Sequence, residues 1–267
     1  MRTPRLIGAV AIAAAALSLP ASAAAKPTIT MSGSTSVAPL ASKLAKAYVK
    51  SHKVQFKILQ GGSDIGVSDV SHGRVTLGMS SRDPLPSDPG GLQFNRIARD
   101  GICVATNPKN SISGLSQDQI QGIFSGRVRS WSQVPGAKTS GTIDLIVRNA
   151  ASGTQDAFQN IFMGQNLRIA PSASQKPSNG RVQQSIATNK NAIGYVDFNF
   201  TSGLHPVAYK GVSCSLRNAK SGQYGGVRNF WLVSRGKPSG AAAAWIKWIR
   251  KSSKAKRLIA KNWVPLK

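Results

Sequence analysis

Four short runs of glycine and hydroxyl side chains recur along the 267-residue chain: "SGSTS" (32–36), "GGSD" (61–64), "MSSRD" (79–83) and "RNAASGT" (148–154). The last places Arg148 just ahead of Ser152, Gly153 and Thr154. A hydroxyl becomes a nucleophile only when a base takes its proton, and no histidine lies near Ser152 or Thr154. "AASGT" departs from the nucleophile-elbow pattern, and no lysine completes a phosphate-loop signature. What remains is binding without turnover. Glycine lets backbone N–H groups approach an anion, hydroxyls add donors, and a guanidinium offers two parallel bonds to a tetrahedral oxyanion. Three of the runs open a helical pattern, where unpaired N–H groups and the positive end of the helix dipole favour negative charge. Any one run alone is an ordinary N-cap, and Arg148 alone an ordinary strand-end arginine. Their recurrence is the signal.

Such groups need a scaffold that brings strand ends together. "TITMS" reads as a strand, and "VAPLASKLAKAYVKSH" carries Val37, Leu40, Leu44 and Tyr48 at helical spacing. "VQFKIL" alternates as a strand, "DIGVSDVSHG" is a short helix, "RVTLGMS" a strand and "RDPLPSDPGG" a loop. "DGICVATNP" is a buried strand ended by Pro108. Ser116 and Gln119 have capping-box spacing before "IQGIF". "TIDLIVRN" is a strand, Ser152 starts the helix "SGTQDAFQNIF", "GRVQQSIATNK" is helical and "AIGYVDF" a strand. "HPVAYKGV" and "RNFWLVS" add strands, and a terminal helix runs from about Ser239 with Trp245, Ile246 and Ile249 buried. The alternation predicts an α/β fold with mostly parallel sheets, as two lobes either side of the "DGICVATNP" strand. Ligands of such sheets bind beyond the carboxyl ends of the strands, where the four runs fall.

The N-terminus reads as an export signal. Arg2 and Arg5 precede an apolar stretch to about Leu19, and Ala21-Ser22-Ala23 offers small-residue cleavage, so residues 1–25 are set aside. No cysteine follows to carry a lipid, and no later segment is apolar enough to span a bilayer. A periplasmic, envelope-associated or secreted protein is expected. The formal charge is +26, or +24 without Arg2 and Arg5, and all nine acidic residues are aspartate. This charge suits an anionic partner of some kind, or a merely solvated basic surface; the one dense run is "IRKSSKAKR" (249–257). In an oxidising destination the two cysteines, Cys103 and Cys214, are expected to form one disulfide. His52, His72 and His205 show no ligand spacing, so neither metal nor cofactor is expected.

"GSTSVAPLASKLAKAYVK", "QGGSDIGV", "GRVTLGMSSRD", "DGICVATNPKN", "IQGIFSGRVRSWSQV", "VRNAASGTQDAF", "NKNAIGYVDF" and "NWVPL" together resemble, in order, the phosphate-binding proteins of ABC-type phosphate importers. The resemblance spans about Ile29 to Leu266. It implies a type II periplasmic-binding-protein fold, with lobe I from residues 26–104 plus 206–267 and lobe II from 105–205. It implies a monomeric receptor, not an enzyme, that delivers inorganic phosphate to a membrane permease, with no nucleic acid as partner. By motif, Thr35, Ser36, Ser63 and Ser81 would bind from lobe I, and Arg148, Ser152, Gly153 and Thr154 from lobe II. Ser34, Asp64 and Arg82 are secondary candidates.

One departure bears on selectivity. Many relatives place an aspartate where Ser81 stands, accepting the proton of hydrogen phosphate; others share this Ser-Ser-Arg. Asp64 is the substitute considered, against its ordinary role as a first-turn acid, and Asp83 is a further candidate. The alternatives are another oxyanion such as sulfate or molybdate in the same fold, or a basic protein that binds polyanions.

Overall fold

The computed structural model describes residues 25–266, so the export segment lies, apart from its last residue, outside the described residues. The first units are β1 (Thr28–Gly33), α1 (Val37–Tyr48), β2 (Gln55–Ile58), α2 (Ser63–Ser71), β3 (Leu77–Ser80) and β4 (Leu92–Thr106). The middle holds β5 (Gly114–Leu115), α3 (Gln117–Phe124), β6 (Asp144–Arg148), α4 (Gly153–Phe158), β7 (Ser174–Lys176), α5 (Asn179–Ala187) and β8 (Ala192–Asp197). The last part holds β9 (His205–Pro206), β10 (Ala208–Tyr209), α6 (Leu216–Ser221), β11 (Val227–Arg235), α7 (Gly240–Lys251) and α8 (Ser253–Asn262).

The strands run β2-β1-β3-β11-β4-β8-β6-β7 in one sheet with two halves. β1 is parallel to β2 and β3, and β11 lies antiparallel between β3 and β4. β6 is parallel to β7 and β8, and β8 is antiparallel to β4. β4 serves both halves: Leu92 to Gly101 pair with β11, and Ile102 to Thr106 pair with β8. Two lobes therefore share one strand.

Each lobe has its own core. Ile29, Met31, Leu40 and Leu44 pack with Trp245 and Ile249 in the first, and Phe124, Trp131, Phe158 and Tyr195 pack together in the second. Aliphatic strand residues and the amphipathic stripe of α1 make these cores, as their spacing predicts.

Four details differ from the sequence reading. β4 begins at Leu92, well before the "DGICVATNP" run, because Leu92 to Gly101 pair with β11; that half is only partly buried and carries Arg96 and Arg99, so it lacks an apolar run. "HPVAYKGV" forms two short strands on different partners. The terminal helix breaks at Ser252, whose extended backbone and Oγ, accepting from the Ala255 N–H at 3.4 Å, start α8 anew. The chain expected to rejoin lobe I at residue 206 instead gives Val207, Tyr209 and Tyr224 to the second core, and enters the first half of the sheet at Val227. The reason is burial: those side chains fill the space beside Phe162 and Ile102, and the Tyr224 hydroxyl donates to the Ile102 carbonyl at 2.6 Å. The Cys103–Cys214 disulfide closes across a sequence separation of 111 residues.

Candidate functional site

β1 ends at Gly33, with φ of +126°, where a Cβ would sit 2.3 Å from the Met79 carbonyl oxygen. Only glycine turns the chain that close to β3. The next residues fold back on themselves: Ser34 Oγ accepts from the N–H groups of Ser36 and Val37 and donates to Ser81 Oγ at 2.8 Å. Ser34 thus supports the start of α1, and Ser36, at the N-cap position, makes no side-chain cap bond. Its hydroxyl is left to face the other lobe. There it shares a 3.1 Å hydrogen bond with Thr154 Oγ1.

Ser63 opens α2 fully buried, its Oγ accepting from the Ser81 N–H at 3.0 Å. From lobe II, Ser152 caps α4, accepting from the N–H groups of Thr154 and Gln155. Gly153 follows with no room for a side chain, since a Cβ would lie 2.3 Å from Ser63 Oγ and 2.9 Å from the Ser81 carbonyl carbon. The Asp64 N–H donates to the Ala151 carbonyl at 3.2 Å, so backbone as well as side chains meet across the cleft.

Arg148 ends β6 with only 2% of its surface exposed. Its Nε donates to the Lys176 carbonyl at 3.2 Å and Nη2 to the Pro177 carbonyl at 3.0 Å. These bonds hold the plane of the guanidinium and aim Nη1 at Thr35 Oγ1, 3.3 Å away in lobe I. Burial chiefly, with the Arg228 charge added, lowers its pKa to about 10, against the pull of Tyr195 and Asp197. An anion placed there would relieve that cost.

Thr35, Ser36, Ser63, Ser81, Arg148, Ser152, Gly153, Thr154 and Ser34 therefore meet at one place, between the lobes. Asp64 and Arg82 do not point their charges into it. Arg82 Nε donates to Asp64 Oδ1 at 2.7 Å and Nη2 to Asp88 Oδ1 at 2.6 Å, and the Asp64 side chain is 48% exposed. Burial opposes the Arg82 charge, but the two carboxylates more than offset it and raise its pKa. Asp83 accepts from Asn229 Nδ2 and Trp231 Nε1. The histidines lie elsewhere: His52 stacks on Tyr48, His72 bonds the Ser68 carbonyl, and His205 the Ile112 carbonyl.

Four further residues complete the cluster. Asn179, at the start of α5, donates through Nδ2 to Thr35 Oγ1, Ser36 Oγ and Asp197 Oδ2. Arg228 of β11 donates through Nη2 to Ser36 Oγ at 2.8 Å and to Asp100 Oδ2 at 3.4 Å, and stands 3.7 Å from Asp197 Oδ2. Asp100 and Asp197 are fully buried. Burial raises both carboxyl pKa values, and for Asp100 the Asp197 charge adds to it, while Arg228 draws both back down. Asp100 Oδ1, Asn179 Oδ1 and Arg228 Nε are buried without a hydrogen-bond partner. The sequence held a usable signal: Asp100 and Asp197 are charges at the ends of apolar strand runs, and a buried charge demands a partner.

Two arginines, hydroxyls from both lobes and crowded glycine backbone meet between two α/β lobes, the arrangement expected of a bilobal binding protein. A family profile described as the PBP superfamily domain matches residues 19–252, and the chain belongs to that superfamily. It is 24% identical over 245 residues to the phosphate-binding protein PstS of Bacillus subtilis, covering 89% of this chain and 80% of that protein. Against the protein of the same name from Staphylococcus epidermidis identity is 27% over 178 residues; this match covers 63% of the chain and spans about half, 54%, of the relative. A crystal structure from Clostridium perfringens, described as a phosphate ABC transporter substrate-binding protein with bound phosphate, superposes with a TM-score of 0.84. It is 28% identical, and the match covers 90% of this chain and all of that one.

Proposed function

We propose that this protein is an exported, monomeric receptor that captures inorganic phosphate between its lobes and delivers it to an ABC-type permease, without chemical turnover. The observation that carries this reading is the convergence of Arg148 and the α4 start of one lobe on Thr35, Ser36 and Ser63 of the other. Closing around an anion removes water, so charge-assisted bonds from these groups gain strength in the lower dielectric. The lobes that close are residues 26–101 with 227–266, and residues 102–226, hinged where β4 changes partner and where Gly226 leads into β11. The names of the relatives support phosphate as the ligand and a permease as the acceptor.

Selectivity over sulfate requires an acceptor, because hydrogen phosphate brings a proton and sulfate brings none. Asp64 is committed to Arg82. Asp197, buried at the cradle between Asn179 and Arg228, takes the acceptor role in this reading. Calorimetric titration of the mature chain with phosphate and with sulfate, at two pH values, tests it. One phosphate per chain and at least about tenfold weaker sulfate binding are expected, with that gap narrowed in Asp197→Asn. Equal affinity for the two anions in the unaltered protein would replace phosphate with a general oxyanion as the ligand.

A further inference from the structure

Twenty of the Lys and Arg residues fall in residues 26–63 and 198–267, and neither stretch contains an acidic residue. The fold brings these two stretches together. α1 packs against α8, with Lys43 Nζ donating to Asn262 Oδ1 at 3.0 Å, and the Tyr48 ring meets Trp248 of α7 at 5.2 Å. From α6, Lys220 Nζ reaches the Ala260 carbonyl at the end of α8. The result is one continuous face on which Lys46, Lys50, Lys247, Lys251, Lys254 and Arg257 are exposed. Among the described residues every ion pair involves Arg74, Arg82 or Arg228, so none of these side chains is neutralised by them.

We propose that the α1–α7–α8 face binds a linear, phosphate-bearing polyanion. Mobile ammonium and guanidinium heads spread over three helices suit a repeating anionic backbone, and displaced counterions drive such binding. The face lacks what other anionic partners use. Val49 is the one large hydrophobic fully exposed among its lysines; Trp248 and Leu258 are half-buried against the core, and Trp245 and Trp263 are buried, so the face offers a bilayer little apolar surface to insert. Nor is any aromatic ring exposed for a base to stack on. The face is also independent of the cleft. α1 starts at the cradle, and its exposed Lys46 lies in the last turn, about 14 Å further along the axis.

The test uses the full mature chain and long-chain sodium polyphosphate, with affinity measured at two salt concentrations and orthophosphate titrated in parallel. Polymer affinity should fall steeply with salt. A Lys247→Glu, Lys251→Glu, Lys254→Glu, Arg257→Glu variant should lose at least about tenfold in polymer affinity while orthophosphate binding is unchanged. Glutamine at the same four positions gives a smaller loss and guards against a misfolded charge-reversed chain. Arg148→Ala should leave polymer binding intact. Polymer binding that survives charge reversal, or that disappears with Arg148, overturns the proposal. So do phosphatidylglycerol vesicles that bind more tightly per phosphate than the polymer, since the partner is then a bilayer.

Discussion

The interlobe cradle and the α1–α7–α8 face both concentrate positive charge, and they hold it in opposite ways. In the cradle, Arg148 and Arg228 are almost fully buried, fixed by carbonyls, hydroxyls and two aspartates. On the face, lysines stand in water with no acidic partner among the described residues. Burial makes each hydrogen bond matter and each misplacement costly, so the first arrangement suits recognition of one small anion. Exposure makes each charge weak and interchangeable, so the second suits extended partners and tolerates change. Net charge on its own could not have told these apart.

The contrast can be broken most severely at Arg148. Arg148→Ala should weaken phosphate binding at least about 30-fold, in line with the ~2–5 kcal/mol that truncating one partner of a buried charge pair costs. Calorimetry reads this directly, and near-unaltered affinity would remove Arg148 from the cradle. Gly153→Ala should come next, because its Cβ meets Ser63 Oγ and the Ser81–Arg82 backbone only when the lobes are together. Affinity should drop about 10- to 100-fold with little change in Tm, and small-angle scattering should show a larger radius in the presence of phosphate.

A subtler effect is expected at Asp100. Its raised pKa means that the native state keeps a proton that the unfolded chain has released at pH values just above the usual carboxylate range. Stability of the unaltered protein should therefore fall as pH rises through that window, relative to Asp100→Asn, which has no proton to lose. Urea unfolding of both across pH 4 to 8 checks the sign. Smallest of all, Lys254→Ala on the basic face should alter stability by no more than about 0.5 kcal/mol, the usual range for exposed positions.

Much of the architecture was legible because each strand–helix unit announces itself locally. Val37, Leu40 and Leu44 mark the buried stripe of α1, and Ser116 with Gln119 form the capping box their spacing implies. The hydroxyl runs were legible for the same reason, since each lies at a strand end and three of the four lead into a helix start. Arg228 was not. It arrives on β11, a strand that returns from near the end of the chain to lie between β3 and β4, and nothing within a few residues marks it as part of the site. Asn179 was hidden because an asparagine at a helix start reads as local capping chemistry, while its amide spans three residues of other elements. The late boundary at Val227 was hidden by tertiary packing: Tyr209 and Tyr224 choose the second core by shape, which periodicity does not encode.

The disulfide sits close to where the chain enters lobe II, with Cys103 just past the Gly101–Ile102 change of partner, and Cys214 lies shortly before the chain leaves. Lobe II is thereby closed into a covalent ring of most of its residues. In the chain-entropy picture a ring of that size removes ~5 kcal/mol of freedom from the unfolded state. It also changes what proteolytic damage means. A protease that cuts one loop of the ring leaves both fragments tethered at the hinge, so a nicked receptor still holds its two halves of the cradle on one molecule.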